Sequence, residues 1–273
     1  MKKVRLDSLL VDRNIFDSRE KAKRSIMSGI VFVDGQRSDK AGLKVDPEVT
    51  VEIKGRSLPF VSRGGLKLKK AVEEFGLDLS NKVCIDIGSS TGGFTDCMLQ
   101  EGAAKVYSID VGYGQLDYKL REDPRVVVME RTNIRNVTVE DLQEKVDFIS
   151  VDVSFISLKL VLPVAKQLLN DQGSMVVLIK PQFEAGREKV GKNGVIRDAY
   201  THREVLTEVI TFLQGQNLPI AQLSFSPIQG PKGNMEFLAF IKTHIEEMSK
   251  SVIEEKIQHV VTQAHENFKK PKS

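Results

Sequence analysis

The sequence predicts an α/β protein: a doubly wound sheet of seven strands, the last antiparallel, preceded by a small α+β module. Three observations predict it. Apolar runs at about 83–87, 105–110, 126–130, 146–152, 175–180, 220–226 and 236–241 alternate with helical stretches at 91–101, 158–169 and 199–214, the βαβ rhythm of a largely parallel sheet. Between the first two runs lies Cys84-Ile85-Asp86-Ile87-Gly88-Ser89-Ser90-Thr91-Gly92-Gly93-Phe94-Thr95-Asp96, and Asp110 closes the second. Strand, glycine loop, helix, strand and acid suit a nucleoside-containing ligand, because glycines let backbone approach it and a carboxylate at the second strand end can take a ribose diol. The third observation is charge. Residues 1–70 hold 17 Lys and Arg against 9 Asp and Glu, whereas the whole chain is only +3, so a basic front fit to meet a polyanion precedes a mildly acidic body.

At 273 residues the chain holds one large domain or a medium one with a small partner. No apolar run approaches the roughly 18 residues of a membrane span, and Met1-Lys2-Lys3-Val4-Arg5 leads into Leu6-Asp7-Ser8 rather than an apolar leader. A cytoplasmic protein without stable membrane association is expected. Cys84 and Cys97 lack metal-ligand company and read as buried free thiols, and no metal site is expected.

In the front module, residues 1–58, Leu6, Leu9 and Leu10 mark one short helix. Asp17 to Met27 mark a second, N-capped by Asp17 or Ser18 and stopped by Gly29. Val31–Val33 with the turn Asp34-Gly35, and Val49–Ile53, read as strands. The second helix sets Arg19 and Lys23 one turn apart with Lys21 and Arg24 beside them, while Ala22 and Ile26 share the apolar side. A charge run of this kind is commonly a solvated face; the positive clustering favours phosphate contacts. The order Arg5-Leu6-Asp7, Ser18-Arg19-Glu20-Lys21-Ala22-Lys23 and Gly29-Ile30-Val31-Phe32-Val33-Asp34-Gly35 resembles the S4-type RNA-binding domain. The resemblance implies binding to structured RNA by shape and backbone, with Arg5, Arg19, Lys21, Lys23 and Arg24 as contacts.

A short hinge follows, within 59–65 and carrying Arg63. A helix then opens with the apolar stripe Leu68, Ala71, Val72 and Phe75. Lys67 lies in its first turn, where a cation is disfavoured, so it is either indifferent surface or placed for something other than stability.

In the body, residues 66–243, the turn-rich Pro227–Asn234 stretch joins the last two strands without a helix, which predicts that the final strand runs antiparallel. Ligands of open α/β sheets sit outside the carboxyl ends of the parallel strands. Asp110, Asp152 and Lys180 close such strands; Glu236 opens the antiparallel one at the same edge, and Lys67 starts a helix there. Singly each has a dull explanation, as a polar strand end or a cap. Together they make a site.

These motifs, with Asp152-Val153-Ser154-Phe155-Ile156, Ile179-Lys180-Pro181-Gln182-Phe183-Glu184 and Gly230-Pro231-Lys232-Gly233-Asn234-Met235-Glu236, resemble the FtsJ-type S-adenosylmethionine-dependent ribose methyltransferases. Joined through Val61-Ser62-Arg63-Gly64-Gly65-Leu66-Lys67-Leu68 to an S4-type front, the chain to about 241 resembles the TlyA, or hemolysin A, family. One departure is Phe60, where members often carry Tyr or Trp. The resemblance implies a Rossmann-like class I methyltransferase sheet, 2′-O-methylation of a ribosomal RNA cytidine in 30S or 50S subunits, S-adenosylmethionine as donor, and a catalytic tetrad at Lys67, Asp152, Lys180 and Glu236. It further implies that Gly88, Ser89, Ser90, Thr91, Gly92, Gly93 and Phe94 wrap the cofactor's methionine portion, with Asp86 near its amino group. Asp110 takes the ribose, and Asn133 is either at the adenine edge or simply a turn residue. Lys180 is the candidate base. Arg187, Lys189 and Lys192, in a Gly-rich basic segment, are candidate RNA contacts or an ordinary loop.

Two other readings compete: a membrane-active cytolysin, which the hemolysin label suggests, and an RNA-binding assembly factor without catalysis. A nicotinamide dehydrogenase is disfavoured because the glycines after Gly88 fall at 92 and 93, not in G-x-G-x-x-G spacing. The tail, 244–273, carries a modest helical stripe that packs on its own domain or serves a membrane surface or a dimer.

Overall fold

The computed structural model describes residues 3–27, 29–54, 58–191 and 193–269, the Arg187 side chain excepted. Lys192, residues 55–57 at the end of the expected front module and the basic end after Lys269 therefore lie outside the described residues. Backbone contacts divide the chain into residues 1–63 and 64–273.

The first unit runs β1 (Val4–Arg5), α1 (Leu6–Asp12), α2 (Arg19–Met27), β2 (Val31–Val33), β3 (Gln36–Arg37), β4 (Lys44–Val45) and β5 (Val51–Ile53). Strand β2 pairs antiparallel with β3 and β5, and β1 with β4. Leu6, Leu9 and Leu10 of α1 and Ala22 and Ile26 of α2 bury their helical stripes together with Val31 and Val45. Ser18 Oγ accepts from the Lys21 amide at 3.2 Å, so Ser18 holds the start of α2. The strand pairs β1–β4 and β2–β3 involve two residues a side, too short to leave an alternating pattern in the sequence.

The second unit begins with α3 (Gly65–Phe75), β6 (Val83–Ile87), α4 (Gly93–Gln100), β7 (Lys105–Ile109), α5 (Tyr118–Arg121) and β8 (Val126–Met129). It continues with α6 (Val139–Leu142), β9 (Val146–Val151), α7 (Leu158–Leu168), β10 (Leu169–Ile179) and α8 (Pro181–Glu184), and closes with α9 (Ala199–Gly215), β11 (Ile220–Phe225), β12 (Phe237–Lys242) and α10 (Lys250–Asn267). The seven-stranded sheet has the order β11-β12-β10-β9-β6-β7-β8. From β10 to β8 neighbours are parallel, while β12 lies antiparallel to both β10 and β11. Strand β10 starts six residues before the expected 175, because the polar Asn170-Asp171-Gln172-Gly173 run hides a strand that leaves α7 directly. The four-residue helices α5, α6 and α8 make about one turn each and leave no period to read.

Register brings the functional ends level. Ile87 pairs with Ile109 and with Val151, and Ile179 with Phe237, so the residues just beyond β6, β7, β9 and β10 and just before β12 meet at one edge. Helix α3 is held there by its stripe: Leu68, Ala71, Val72 and Phe75 are buried, it packs on α4 and β12, and Phe75 stacks on Phe240 with centroids 5.6 Å apart. At the far end of the chain, α10 buries Ile257, Val260, Val261 and Ala264 and packs on α9 and β11, the first of the alternatives considered for the tail. Cys84 and Cys97 are free and buried. Among the described residues no helix is long and apolar enough to cross a membrane.

One carboxylate is built into the sheet. Asp86 of β6 is fully buried; its Oδ2 accepts from the Thr95 amide at 2.9 Å and the Thr95 hydroxyl at 2.7 Å, and its Oδ1 from Ser150 at 3.2 Å. It thereby ties the first turn of α4 to β6 and β9. Burial dominates its titration and pushes it up to about 7, against the hydrogen bonds of Thr95 and Ser150. Because the native state holds that proton more tightly than the unfolded chain does, Asp86's stabilisation is full below about 3.8 and is lost as pH rises through about 7. The loss is on the order of 4 kcal/mol. Asp86→Asn is expected to flatten urea-unfolding stability between pH 5 and 8; an unchanged pH slope in the variant would refute this.

Candidate active site

The four residues expected at the sheet edge meet. Lys67 Nζ lies 2.7 Å from Glu236 Oε2 and 3.4 Å from Asp152 Oδ2, and Lys180 Nζ lies 2.5 Å from Asp152 Oδ1 and donates to Ser154 Oγ at 3.0 Å. Lys67 and Lys180 are each 8 % exposed and Glu236 2 %. The Lys67–Glu236 and Lys180–Asp152 contacts are close in distance but off the hydrogen-bond direction, since Glu236 Oε2 and Asp152 Oδ1 have no aligned donor; they act as charge pairs. Two cations and two anions balance in a nearly dry pocket, where an unpaired charge would be costly.

Each member has a local reason for its place. Lys67 stands four residues before Ala71 and eight before Phe75, on the buried stripe of α3, and the surface alternative for it does not hold. Asp152 follows β9 and its amide donates to Ile87 O at 2.9 Å. Lys180 follows β10, before Pro181 at the start of α8. Glu236 precedes β12, and Gly230 makes room for it: a Cβ there would stand 2.8 Å from Glu236 Oε1.

The charges shape one another. Burial alone would lower Lys67, but Asp152 and Glu236 outweigh it and the ammonium is held above its ordinary value. Burial alone would raise Asp152, but Lys67 and Lys180 outweigh it and the carboxyl is held below the ordinary range.

Beside the tetrad lies a cleft of about 330 Å³, which Asp152 and Ser154 line on one part and Asp110, Ser90, Gly88 and Asn133 on another. Gly88 has φ +84°, and a Cβ on it would fall 2.5 Å from the Asp152 carbonyl oxygen, so only glycine lets the loop rest on the Asp152 backbone. Both Asp110 oxygens are oriented by backbone, Oδ2 accepting from the Ser90 amide at 2.8 Å and Oδ1 from Gly112 at 2.7 Å. Asn133 does two things: it lines the cleft, and its Oδ1 caps the short helical turn Ile134–Asn136 by accepting from the Arg135 amide.

Other expected cofactor residues stand elsewhere. Ser89, Gly92, Gly93 and Phe94 are buried and Thr91 is exposed, all outside the cleft lining. Asp86 is turned away from the cleft: it lies within β6, where its carboxylate faces Thr95 of α4 and Ser150, and only the residues after Ile87 reach the edge.

Of the expected RNA contacts, Arg5 and Arg19, about half exposed, share the buried Asp7, whose carboxylate Arg5 grips with two hydrogen bonds of 2.9 and 2.8 Å while Arg19 reaches it at 3.3 Å. Lys21 pairs with Asp17 at 2.5 Å. Lys23 and Arg24 are half-buried on α2, and Arg63 is exposed. Lys189 pairs with Glu204 of α9 at 2.7 Å.

Sequence reasoning missed three side chains. Ser154 receives the Lys180 hydrogen bond. Phe155, 90 % exposed with φ +64°, presents its ring at the cleft beside Phe183, centroids 4.9 Å apart. Glu130 accepts from the amides of Gly114, Gln115 and Leu116 and pairs with Arg121, fixing the loop after Asp110. The quoted motif after Asp152 contained the first two; nothing local marks Glu130. Among the described residues no cluster of His, Cys, Asp or Glu could hold a metal ion.

Residues 60–243 match the model of the FtsJ-like methyltransferase family and residues 4–51 that of the S4 domain. The chain is 51 % identical over 274 residues to a Bacillus subtilis protein provisionally named rRNA methyltransferase YqxC, covering 100 % of this chain and 98 % of that one. It is 37 % identical over 264 residues to the 16S/23S rRNA (cytidine-2′-O)-methyltransferase TlyA of Mycobacterium tuberculosis, covering 96 % and 98 %. A solved structure from Streptococcus thermophilus, provisionally named a hemolysin, superposes with TM-score 0.78 at 46 % identity and 98 % coverage of both chains.

Proposed function

This chain belongs to the FtsJ-like methyltransferase family, with an S4 domain ahead of the family's fold, and we propose that it transfers a methyl group from S-adenosylmethionine to the 2′-hydroxyl of a cytidine in ribosomal RNA. The observation that carries the reading is the meeting of Lys67, Asp152, Lys180 and Glu236 beside a cleft that also presents Asp110.

The cleft suits the cofactor. Its volume is in the range of small-molecule sites, Gly88 keeps its wall thin, and Asp110 is pre-oriented to accept from ribose hydroxyls. Gly88 and Ser90 would hold the methionine portion by backbone and Asn133 the adenine edge, with Ser89, Thr91, Gly92, Gly93 and Phe94 shaping the loop from outside the lining. When bound, S-adenosylmethionine supplies an electrophilic sulfonium methyl.

The protein's own groups do the rest. Asp152 and Ser154 hold Lys180 Nζ, which first releases its own proton to solvent and then, as the neutral amine, accepts the proton of the 2′-hydroxyl as that oxygen attacks. Lys67, kept charged by Asp152 and Glu236, stabilises the negative charge developing on the same oxygen. The exposed ring of Phe155 offers the target base a stacking surface. In the first unit, Asp7 of α1 gathers the half-exposed guanidinium groups of Arg5 on β1 and Arg19 on α2, a geometry suited to RNA phosphates. Partners are then ribosomal RNA in 30S or 50S subunits, met in the cytoplasm.

The test is transfer of labelled methyl from S-adenosylmethionine to purified 30S and 50S particles, followed by nuclease mapping. Label is expected on cytidine 2′-oxygens; label on bases, or none on either particle, would overturn the proposal.

A further inference from the structure

The two segments that bring Asp152 and Lys180 together, the loop before α7 and the start of α8, are clasped by a residue outside the tetrad. Strands β9 and β10 are parallel neighbours, in register from Phe148↔Ser174 to Val151↔Val177; β9 hands Asp152 to a loop that leads into α7, and β10 hands Lys180 directly to α8 as its N-terminal cap. Glu184, the last residue of α8, reaches across to the start of α7. Its Oε2 accepts from Ser157 Oγ at 2.6 Å and its Oε1 from the Leu158 amide at 2.8 Å. Ser157 is itself the N-cap of α7, so the carboxylate sits where the eleven-residue helix favours negative charge. The loop Asp152–Ser157 is thus pinned at Asp152 by the Ile87 carbonyl and at Ser157 by Glu184. Between the pins it carries Ser154, the acceptor for Lys180, and Phe155 with its left-handed backbone. Glu184 in turn stands four residues after Lys180.

We propose that Glu184 is a positioning residue for methyl transfer, setting the placement of Lys180 Nζ against Asp152 and Ser154 through the Ser157 end of the facing loop. The inference rests on Lys180 and Asp152 being the reacting pair. It goes beyond a cap for α7, because a cap that only stabilised the helix would leave turnover of the folded enzyme unchanged.

The experiment measures single-turnover methyl transfer to ribosomal subunits, cofactor affinity by calorimetry, and melting temperature. Glu184→Ala is expected to slow transfer at saturating cofactor by about 10- to 100-fold, a loss of one to two factors of about 1.4 kcal/mol. The cofactor dissociation constant is expected to stay within about two-fold. Glu184→Gln, which keeps the length and one acceptor oxygen, recovers part of the rate. Ser157→Ala slows transfer similarly, and the double variant Glu184→Ala/Ser157→Ala is no slower than Glu184→Ala alone, the sign of one shared contact. Variants that melt lower but turn over at the normal rate below their melting temperature would overturn the proposal, as would additive rate losses. A failure of the underlying reading is distinguishable: there Lys180→Met would itself remain active.

Discussion

Lys180→Arg and Lys180→Met are each expected to lower the rate of methyl transfer at saturating substrates by about 10²–10⁴-fold, the usual contribution of a positioned proton acceptor. Cofactor affinity should change little, because Lys180 touches the cleft only through Asp152 and Ser154. The pair of variants separates two roles. Arginine keeps the positive charge beside Asp152 but is never deprotonated in proteins, so it preserves an electrostatic clamp and abolishes a base. Near-normal single-turnover rates in the arginine variant, with cofactor binding intact, would show that Lys180 serves by its charge alone.

Asp152→Asn is expected to cost both activity and stability. Asp152 is shared by the two ammonium groups, at 2.5 Å from Lys180 and 3.4 Å from Lys67, and both are nearly dry. Removing the shared anion from a buried cluster costs about 3–5 kcal/mol and lets Lys180 drift from its aligned position, so turnover falls at least ~100-fold. The pH dependence carries a definite sign. Since the native carboxyl is held below its ordinary value of 3.8, its stabilisation is complete above that value and fades as pH falls through the native one. The stability gap between Asp152→Asn and the native protein, read from urea unfolding, is therefore full at pH 7 and narrows toward pH 3. Asp86, one strand away, slopes the opposite way, losing stability as pH rises. An Asp152→Asn protein as stable as the native one at pH 7 would contradict the paired cluster.

The sheet was legible because its strands are buried on both faces and read as continuous apolar runs. The edge was legible too: once β12 is placed antiparallel by its helix-free connection, Asp110, Asp152, Lys180 and Glu236 must converge. What the chain hid has physical causes. Strand β10 hid its first residues in a polar run at a register break. Asp86 is buried because it lies one residue inside the end of β6, against Thr95 of α4, yet its place in a loop motif drew attention to the loop. Lys67 could be placed on the buried stripe of α3 by counting from Phe75, and a lysine in a first turn argued against doing so. Glu184 and Glu130 act across 26 and about 15 residues of sequence, a distance over which side-chain partners leave no local signature.

The insertion of β12 between β10 and β11 has a consequence for how the molecule comes into being. The cleft's lining is encoded within residues 87–161, whereas Glu236 and the strand it opens arrive some 75 residues later. During synthesis, which delivers the chain from its N-terminal end, the residues that line the cleft are made long before Glu236. Until β12 slides in, β10 has an open edge and Lys67 lacks its nearest carboxylate. A nascent chain stalled before residue 230 therefore has the residues that line the cleft but not the full tetrad.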